Sequence, residues 1–123
     1  MVRASEPVLP STVVATHLAA SAAELAKCAE SPQDFGNPED VAKVIIQVLE
    51  AQRAISRALG GLAVRMDAAK TTALSEAPAV EVEVLAEVLR AAAEAVHYSG
   101  EALAEAGPSF ESVISSVSSN TRL

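Results

Sequence analysis

The sequence has almost no aromatic residues: there is no Trp, and Phe35, Tyr98 and Phe110 are the only Phe or Tyr residues. Large side chains supply most of the apolar area that a core can bury, so a core built from this chain is thin. Half of the 123 residues are nevertheless hydrophobic, mainly Ala and Val. Because Ala has the highest helix propensity, and Gly and Pro are sparse inside the Ala-rich runs, we predict a single all-α domain.

Other absences exclude whole classes of protein. The lone Cys28 excludes an intramolecular disulfide. The net charge of −7 argues against nucleic acid and against anionic membranes as partners, because both require a basic surface. No apolar run approaches the roughly 20 residues of a membrane span, and the stretch from Val13 to Ala26 lacks the profile of a signal peptide. We expect a cytoplasmic protein with no nucleic-acid or membrane partner, while secretion by a non-classical route stays open.

One long seam of apolar residues runs between Asn37 and Lys70, with steps of four and three residues. This spacing is typical of one face of an α-helix. The helix start is predicted at Asn37-Pro38, where a capping residue precedes Pro and two acids. Gly60-Gly61 could break the helix, but the seam keeps its phase across the pair, which favours a continuous helix. The predicted seam residues are Val41, Ile45, Val48, Gln52, Ile55, Leu59, Leu62 and Met66.

A second seam with the same spacing predicts another long helix from about Ala79 to Ala106. Gly107-Pro108 is predicted to end this helix, because Gly followed by Pro is a common helix stop. The acidic residues of this helix could pair with the basic residues of the preceding one, either within one molecule or across a dimer. The predicted seam residues that we assign to the core or to an interface are Val82, Leu85, Leu89, Val96 and Leu103.

The predicted architecture is an elongated antiparallel bundle of three long helices with a short C-terminal helix after a Ser109 cap. Ser11 or Thr12 is expected to cap the first helix, which should reach about Glu30. It is shorter than the other two, so part of their apolar surface stays uncovered unless the C-terminal segment or a second copy shields it. The predicted organisation is a flexible arm over residues 1–10, one helical-bundle domain over 11–118 and a disordered tail over 119–123.

No combination of residues predicts catalysis or a cofactor. Glu94, His97 and Glu101 share one face of the third predicted helix, and Glu-x-x-His recurs in carboxylate di-metal bundles. Those sites need two such motifs and two further carboxylates, so we predict no metal site. Cys28 lies on the apolar side of the first predicted helix, which it shares with Val14, Leu18, Ser21 and Leu25. It is near the C-terminus of that helix, where the dipole disfavours a thiolate, and is predicted to be buried and inert. Motifs for phosphate loops, zinc sites and serine nucleophiles are also missing from the sequence.

Two family resemblances suggest alternatives. Arg90 and His97, followed by Tyr98, resemble the Arg-x(4–6)-His element of HEPN-type RNases, small helical domains in which the Arg and His serve RNA cleavage. In its small size, acidity and alanine-rich hairpin the chain also resembles the secreted WXG100 and PE-type proteins of actinobacteria, whose helical hairpins associate into four-helix bundles. There is no Trp-x-Gly turn, and Ala102 stands where an acid would complete a Tyr-x-x-x-Asp/Glu element from Tyr98.

The length of the apolar seams, with too little chain to cover them, favours a function in association. We therefore predict a small, acidic, non-enzymatic helical-bundle protein that forms a homodimer or binds a helical protein partner. An exported WXG100- or PE-like protein is one alternative, and a HEPN-like RNA-cleaving enzyme using Arg90, Glu94 and His97 is another. The sequence identifies neither the partner nor the biological process.

Overall fold

The structure, a computed structural model, describes residues 10–31, 36–117, 121 and 123. Over these residues it consists of helices and the turns between them, without a strand, which confirms the all-α prediction. Residues 1–9 of the predicted arm and residues 119, 120 and 122 of the predicted tail lie outside the described residues. The helices are α1 (Ser11–Glu30), α2 (Pro38–Ala69), α3 (Ala79–Ala104) and α4 (Gly107–Ser116).

The start of α2 follows from its sequence. The Asp40 N–H donates a hydrogen bond to Asn37 Oδ1 at 3.0 Å, and Pro38 occupies the first turn, where its missing N–H costs nothing. The predicted start is therefore confirmed. The helix then continues for 32 residues through Gly60 and Gly61, which confirms the continuous helix. At 1.5 Å per residue α2 is roughly 48 Å long.

Neither glycine in the middle of α2 is required by a close contact. A Cβ built at Gly60 or Gly61 would meet nothing within 4 Å beyond the backbone of its own helix. Glycine weakens a helix because the unfolded chain has more backbone freedom to lose. We expect Gly60→Ala and Gly61→Ala each to raise the free energy of unfolding by about 0.5–1 kcal/mol, as measured by urea denaturation.

Gly100 in α3 provides a comparison for these two substitutions. Its added Cβ would lie 3.4 Å from Leu49 Cδ1 in α2, which is an ordinary van der Waals contact. Gly100→Ala should therefore gain helix propensity and add a packing contact with α2, so its gain in stability should be at least as large. A loss of stability at Gly100→Ala would contradict this spacing of the two helices.

Close packing of α2 along α3 dominates the tertiary structure of the described residues, and α4 touches α2. The buried hydrophobic residues in this part of the chain are Ala63, Val82 and Ala86, and Gly100 is buried with them. Small side chains at the contact let two helix backbones approach closely. A bundle-like packing of α2 and α3 is thus confirmed, but its buried residues are small.

Polar contacts also join α2 to α3. As the residue number rises along α2, the number of its partner on α3 falls. These contacts fix the axial position of one helix against the other. They include Gln52 Nε2 to Ser99 Oγ at 3.0 Å, Ser56 Oγ to the Ala93 carbonyl at 2.8 Å, and Lys70 Nζ to Glu83 Oε1 at 3.1 Å.

Arg90 forms a two-armed ion pair near the connection between α2 and α3. Its Nη2 donates to Glu87 Oε1 at 2.5 Å, one turn earlier on α3, and its Nη1 donates to Asp67 Oδ2 on α2 at 2.7 Å. The hydrogen bond to Glu87, followed by that to Asp67, raises the pKa of Arg90 above its usual value. Because all three side chains are exposed to water, the contact orients the helices more than it stabilises them.

The end of α3 differs from the prediction. The helix ends at Ala104, and Gly107-Pro108 begins α4 instead of ending α3. No glycine in the described residues has positive φ, so Gly107 cannot form the left-handed C-cap on which the prediction relied. Glu105 and Ala106 both keep right-handed helical angles, so α4 continues the path of α3 across a bend.

Two predicted N-terminal caps are also replaced. Pro10 stands at the N-cap of α1, with no side-chain cap from Ser11 or Thr12, although the predicted end at Glu30 is confirmed. Ala106 stands at the N-cap of α4, so Ser109 lies inside the helix. Each of these helices starts at a Pro: Pro10 is the N-cap of α1, and Pro108 lies in the first turn of α4. In both, the Pro restricts φ near the start of the helix and takes the place of the predicted hydroxyl cap.

Candidate functional site

An apolar groove of about 470 Å³ lies between α1 and α2. Leu18 and Leu25 of α1 form one wall, and Val44, Val48 and Ile55 of α2 form the other. Since α1 does not approach α2 as closely as α3 does, these side chains border an unfilled space. A volume of this size can receive several side chains of a docking helix or a small apolar molecule.

The groove offers little to chemistry. Among the described residues that line it, Lys43 is the only charged one, accompanied by the polar Ser21, Gln47 and Gln52. The rest of this lining is apolar, which is typical of grooves that bind a ligand or a partner.

The predicted seam of α2 lies mainly along its inner side. Leu62 is the exception, because 47% of it is exposed, whereas its neighbour Ala63 is only 1% exposed and touches α3. Where two helices lie close together, a small side chain fits between their backbones and a larger neighbour points to the side. The half-buried members of the seam are Val41, Ile45, Val48, Gln52, Ile55, Leu59 and Met66.

The seam of α3 shows the same shift. Leu85 is 46% exposed, and the following residue, Ala86, is completely buried against α2. Val82 is also buried, at 5% exposed. Sequence analysis gave the large Leu side chain more weight than its small neighbour, so it missed Ala63, Ala86 and Gly100 as contact residues. The remaining seam residues, which are half-buried, are Leu89, Val96 and Leu103.

Gln52 is the one polar seam residue, and it faces α3. Its Nε2 donates to Ser99 Oγ at 3.0 Å, while its Oε1 is buried without a hydrogen-bond partner among the described residues. A buried acceptor that loses water without gaining a donor costs about 1–3 kcal/mol. Gln52 therefore fixes the position of α2 on α3 at a cost in stability.

Replacing Gln52 by Met tests that cost. Met has a similar length and no acceptor to bury, while the exposed Ser99 hydroxyl can turn to water. We expect Gln52→Met to raise the free energy of unfolding by about 1 kcal/mol in thermal or urea denaturation. Arg57→Met, at an exposed position of the same helix that does not line the groove, is the control and should leave stability nearly unchanged. A loss of stability at Gln52→Met would show that its bond to Ser99 outweighs the unpaired oxygen.

The residues singled out for chemistry on α3 lie along one helix, and the contacts of Arg90 and His97 are with other side chains. Arg90 is held by Asp67 and Glu87, and the His97 ring packs edge-on against Tyr98 with centroids 5.5 Å apart. Nowhere in residues 10–31 and 36–117 do three His, Cys, Asp or Glu side chains gather closely enough to hold a metal ion.

The remaining residues that were considered for chemistry are exposed or half-buried. Glu94 and Glu101 are exposed on α3, and Cys28 is half-buried near the end of α1. Each helix within the described ranges is too short or too polar to span a lipid bilayer.

Comparison with known proteins yields no match, whether to a family model, to a curated protein or to a solved structure. The groove and the exposed apolar side chains are therefore the features from which a function can be argued. Sequence analysis anticipated uncovered apolar surface from the shortness of the first helix, but it did not anticipate a groove between α1 and α2.

Proposed function

We propose that this is a non-enzymatic helical protein that acts by associating with another helical surface, as a homodimer or with a helical protein partner. The falling order of contacts along α2 and α3 supports an antiparallel arrangement of the two helices within the bundle. The cytoplasmic location expected from the sequence stays a prediction.

One observation carries this proposal: the described residues bury no hydrophobic side chain larger than Val. Burial contributes about 25 cal/mol per Å² of apolar surface, whereas ordering each residue costs about 1–2 kcal/mol. Ala63, Val82 and Ala86 provide little of the area that is needed to offset this cost. The larger apolar side chains that could provide it, such as Leu18 and Leu62, remain about half exposed.

Helix α1 shows this lack of buried apolar surface most clearly. None of its 20 residues is buried, and Val14 is 50% exposed on the same side as Leu18. In proteins most of the stability of a helix comes from packing of its apolar side and not from helix propensity alone. The proposal therefore expects α1 to become fully ordered only when a partner covers its apolar side.

Amide hydrogen exchange read by mass spectrometry tests this expectation. The full chain is measured at protein concentrations between about 1 and 100 µM, with light scattering to report its mass. Amides of α1 should exchange much faster than those of α2 and α3 in the monomer, and they should gain protection on association. If α1 is as well protected as α3 in a species that light scattering shows to be a monomer, the proposal fails. In that case α1 becomes ordered without a partner.

A further inference from the structure

We infer that the partner is a second copy of this chain, docked over what we call the open side: the groove between α1 and α2 together with Leu62 and Leu85. This inference rests on the proposed function and gives it a partner and a surface. It makes the association a symmetric dimer in which the same surface of each copy faces the other.

Leu62 and Leu85 belong to the same side of the helix pair. Each precedes a buried alanine, Ala63 or Ala86, by one residue, which rotates its side chain by about 100° away from the helix contact. In an antiparallel pair these rotations bring both side chains to one side of the plane that contains the two axes. Leu62 also follows Ile55 by about two helical turns, so it extends the wall of the groove along α2.

Charge distinguishes the groove from the rest of the surface. Among the described residues that line it, Lys43 is the only charged one. The ion pairs formed by Arg90 and Lys70 stand elsewhere along the helix pair. A two-fold contact places each residue near residues of the same surface, so an acidic surface would repel its own copy. The groove part of the open side carries so little charge that it can face itself without that repulsion.

The chain exposes more area than a compact monomer of its size. Its accessible surface is 9155 Å² at a mass of 12.6 kDa, with the residues outside the described ranges included. A compact monomer of this mass exposes about 6,200 Å². Obligate homodimers bury about 1,000–2,500 Å² on each partner. An interface at the open side, where Leu18, Leu62 and Leu85 are each about half exposed, can cover part of this excess.

Sedimentation velocity and light scattering of four single variants test the inference. Leu62→Glu and Leu85→Glu each place a charge on the open side. Val64→Glu and Val84→Glu make the same charge change on the same helices, at valines that are 68% and 52% exposed on other faces. All four positions are exposed in one chain, so circular dichroism should show that every variant keeps its helices.

The wild-type chain is expected at about 25 kDa, twice the 12.6 kDa of one copy. We expect the Leu62→Glu and Leu85→Glu variants at the monomer mass, with at least a tenfold weaker dimer, and both valine variants at the dimer mass. If the dimer persists in both leucine variants, the open side is not the dimer surface, although the chain still associates. If only Val84→Glu loses the dimer, the open side is again not the dimer surface, and the contact lies on the outer face of α3.

The result for the wild-type chain also separates this inference from the proposed function. A monomeric wild-type chain whose α1 amides stay unprotected up to about 100 µM overturns the second copy as the partner. The proposed association then requires a different helical protein. A monomeric chain with fully protected α1 amides overturns both.

Discussion

Ala86→Leu is expected to lower the free energy of unfolding by about 2–3 kcal/mol. Ala86 is completely buried on α3, the helix that packs along α2. Three further carbon atoms have no space there, because protein interiors are packed as densely as organic crystals. The helices must separate or the new side chain must adopt a strained rotamer, and separation would weaken the contacts of Ala63 and Val82 at the same interface.

The matched control is Ala91→Leu, on the exposed side of the same helix. Leu and Ala have similar helix propensities, so the two variants differ mainly in where the added atoms are placed. Ala91→Leu should change the unfolding free energy by less than about 0.5 kcal/mol in urea denaturation. If Ala86→Leu were equally harmless, the close contact between α2 and α3 would not exist in solution.

Ile55→Ala is expected to cost about 2–5 kcal/mol of stability when the open side is covered by a partner, because the truncation then leaves a cavity. Ile55 lines the groove and is only half-buried in a single chain. In the dissociated chain the loss should be smaller, since the shortened side chain removes surface that already touched water. Urea denaturation of wild type and variant at about 1 and 100 µM measures both values.

Val64→Ala is the control for Ile55→Ala, because Val64 is 68% exposed on the same helix. Its cost should be small and the same at both protein concentrations. A cost at Ile55 that does not change with concentration would mean that α1 closes over the groove without help, which contradicts the open side as a dimer surface.

Local sequence signals predicted the boundaries of the helices best. Asn37-Pro38 specifies the start of α2 because one side-chain oxygen satisfies one backbone N–H, and no distant residue is needed. The continuity of α2 through Gly60 and Gly61 is a similar case, since two glycines reduce helix stability without creating a better alternative. The Gly107 prediction failed because a C-cap depends on the sign of φ, which residue identity favours but does not fix.

The rotation of α3 about its axis could not be predicted in the same way. Ala and Val occupy most of its circumference, so several faces are apolar enough to pack, and the large Leu85 pointed to one of them. The face that packs is the one that carries Ala86 and Gly100, because these small residues let the two helix backbones lie close together. The groove was unpredictable for a related reason: it depends on how closely α1 approaches α2, which a period in the sequence does not reveal.

The ion pairs near the connection between α2 and α3 have a consequence for the order of folding. Lys70–Glu83 and Asp67–Arg90 join residues only 13 and 23 positions apart. Short loops close at the lowest entropy cost, and local contacts form fastest. We expect the helix pair to close from this end toward Gln52 and Ser99. Helix α1, which has no buried residue to anchor it, would then join last, at a rate that depends on how often two chains meet.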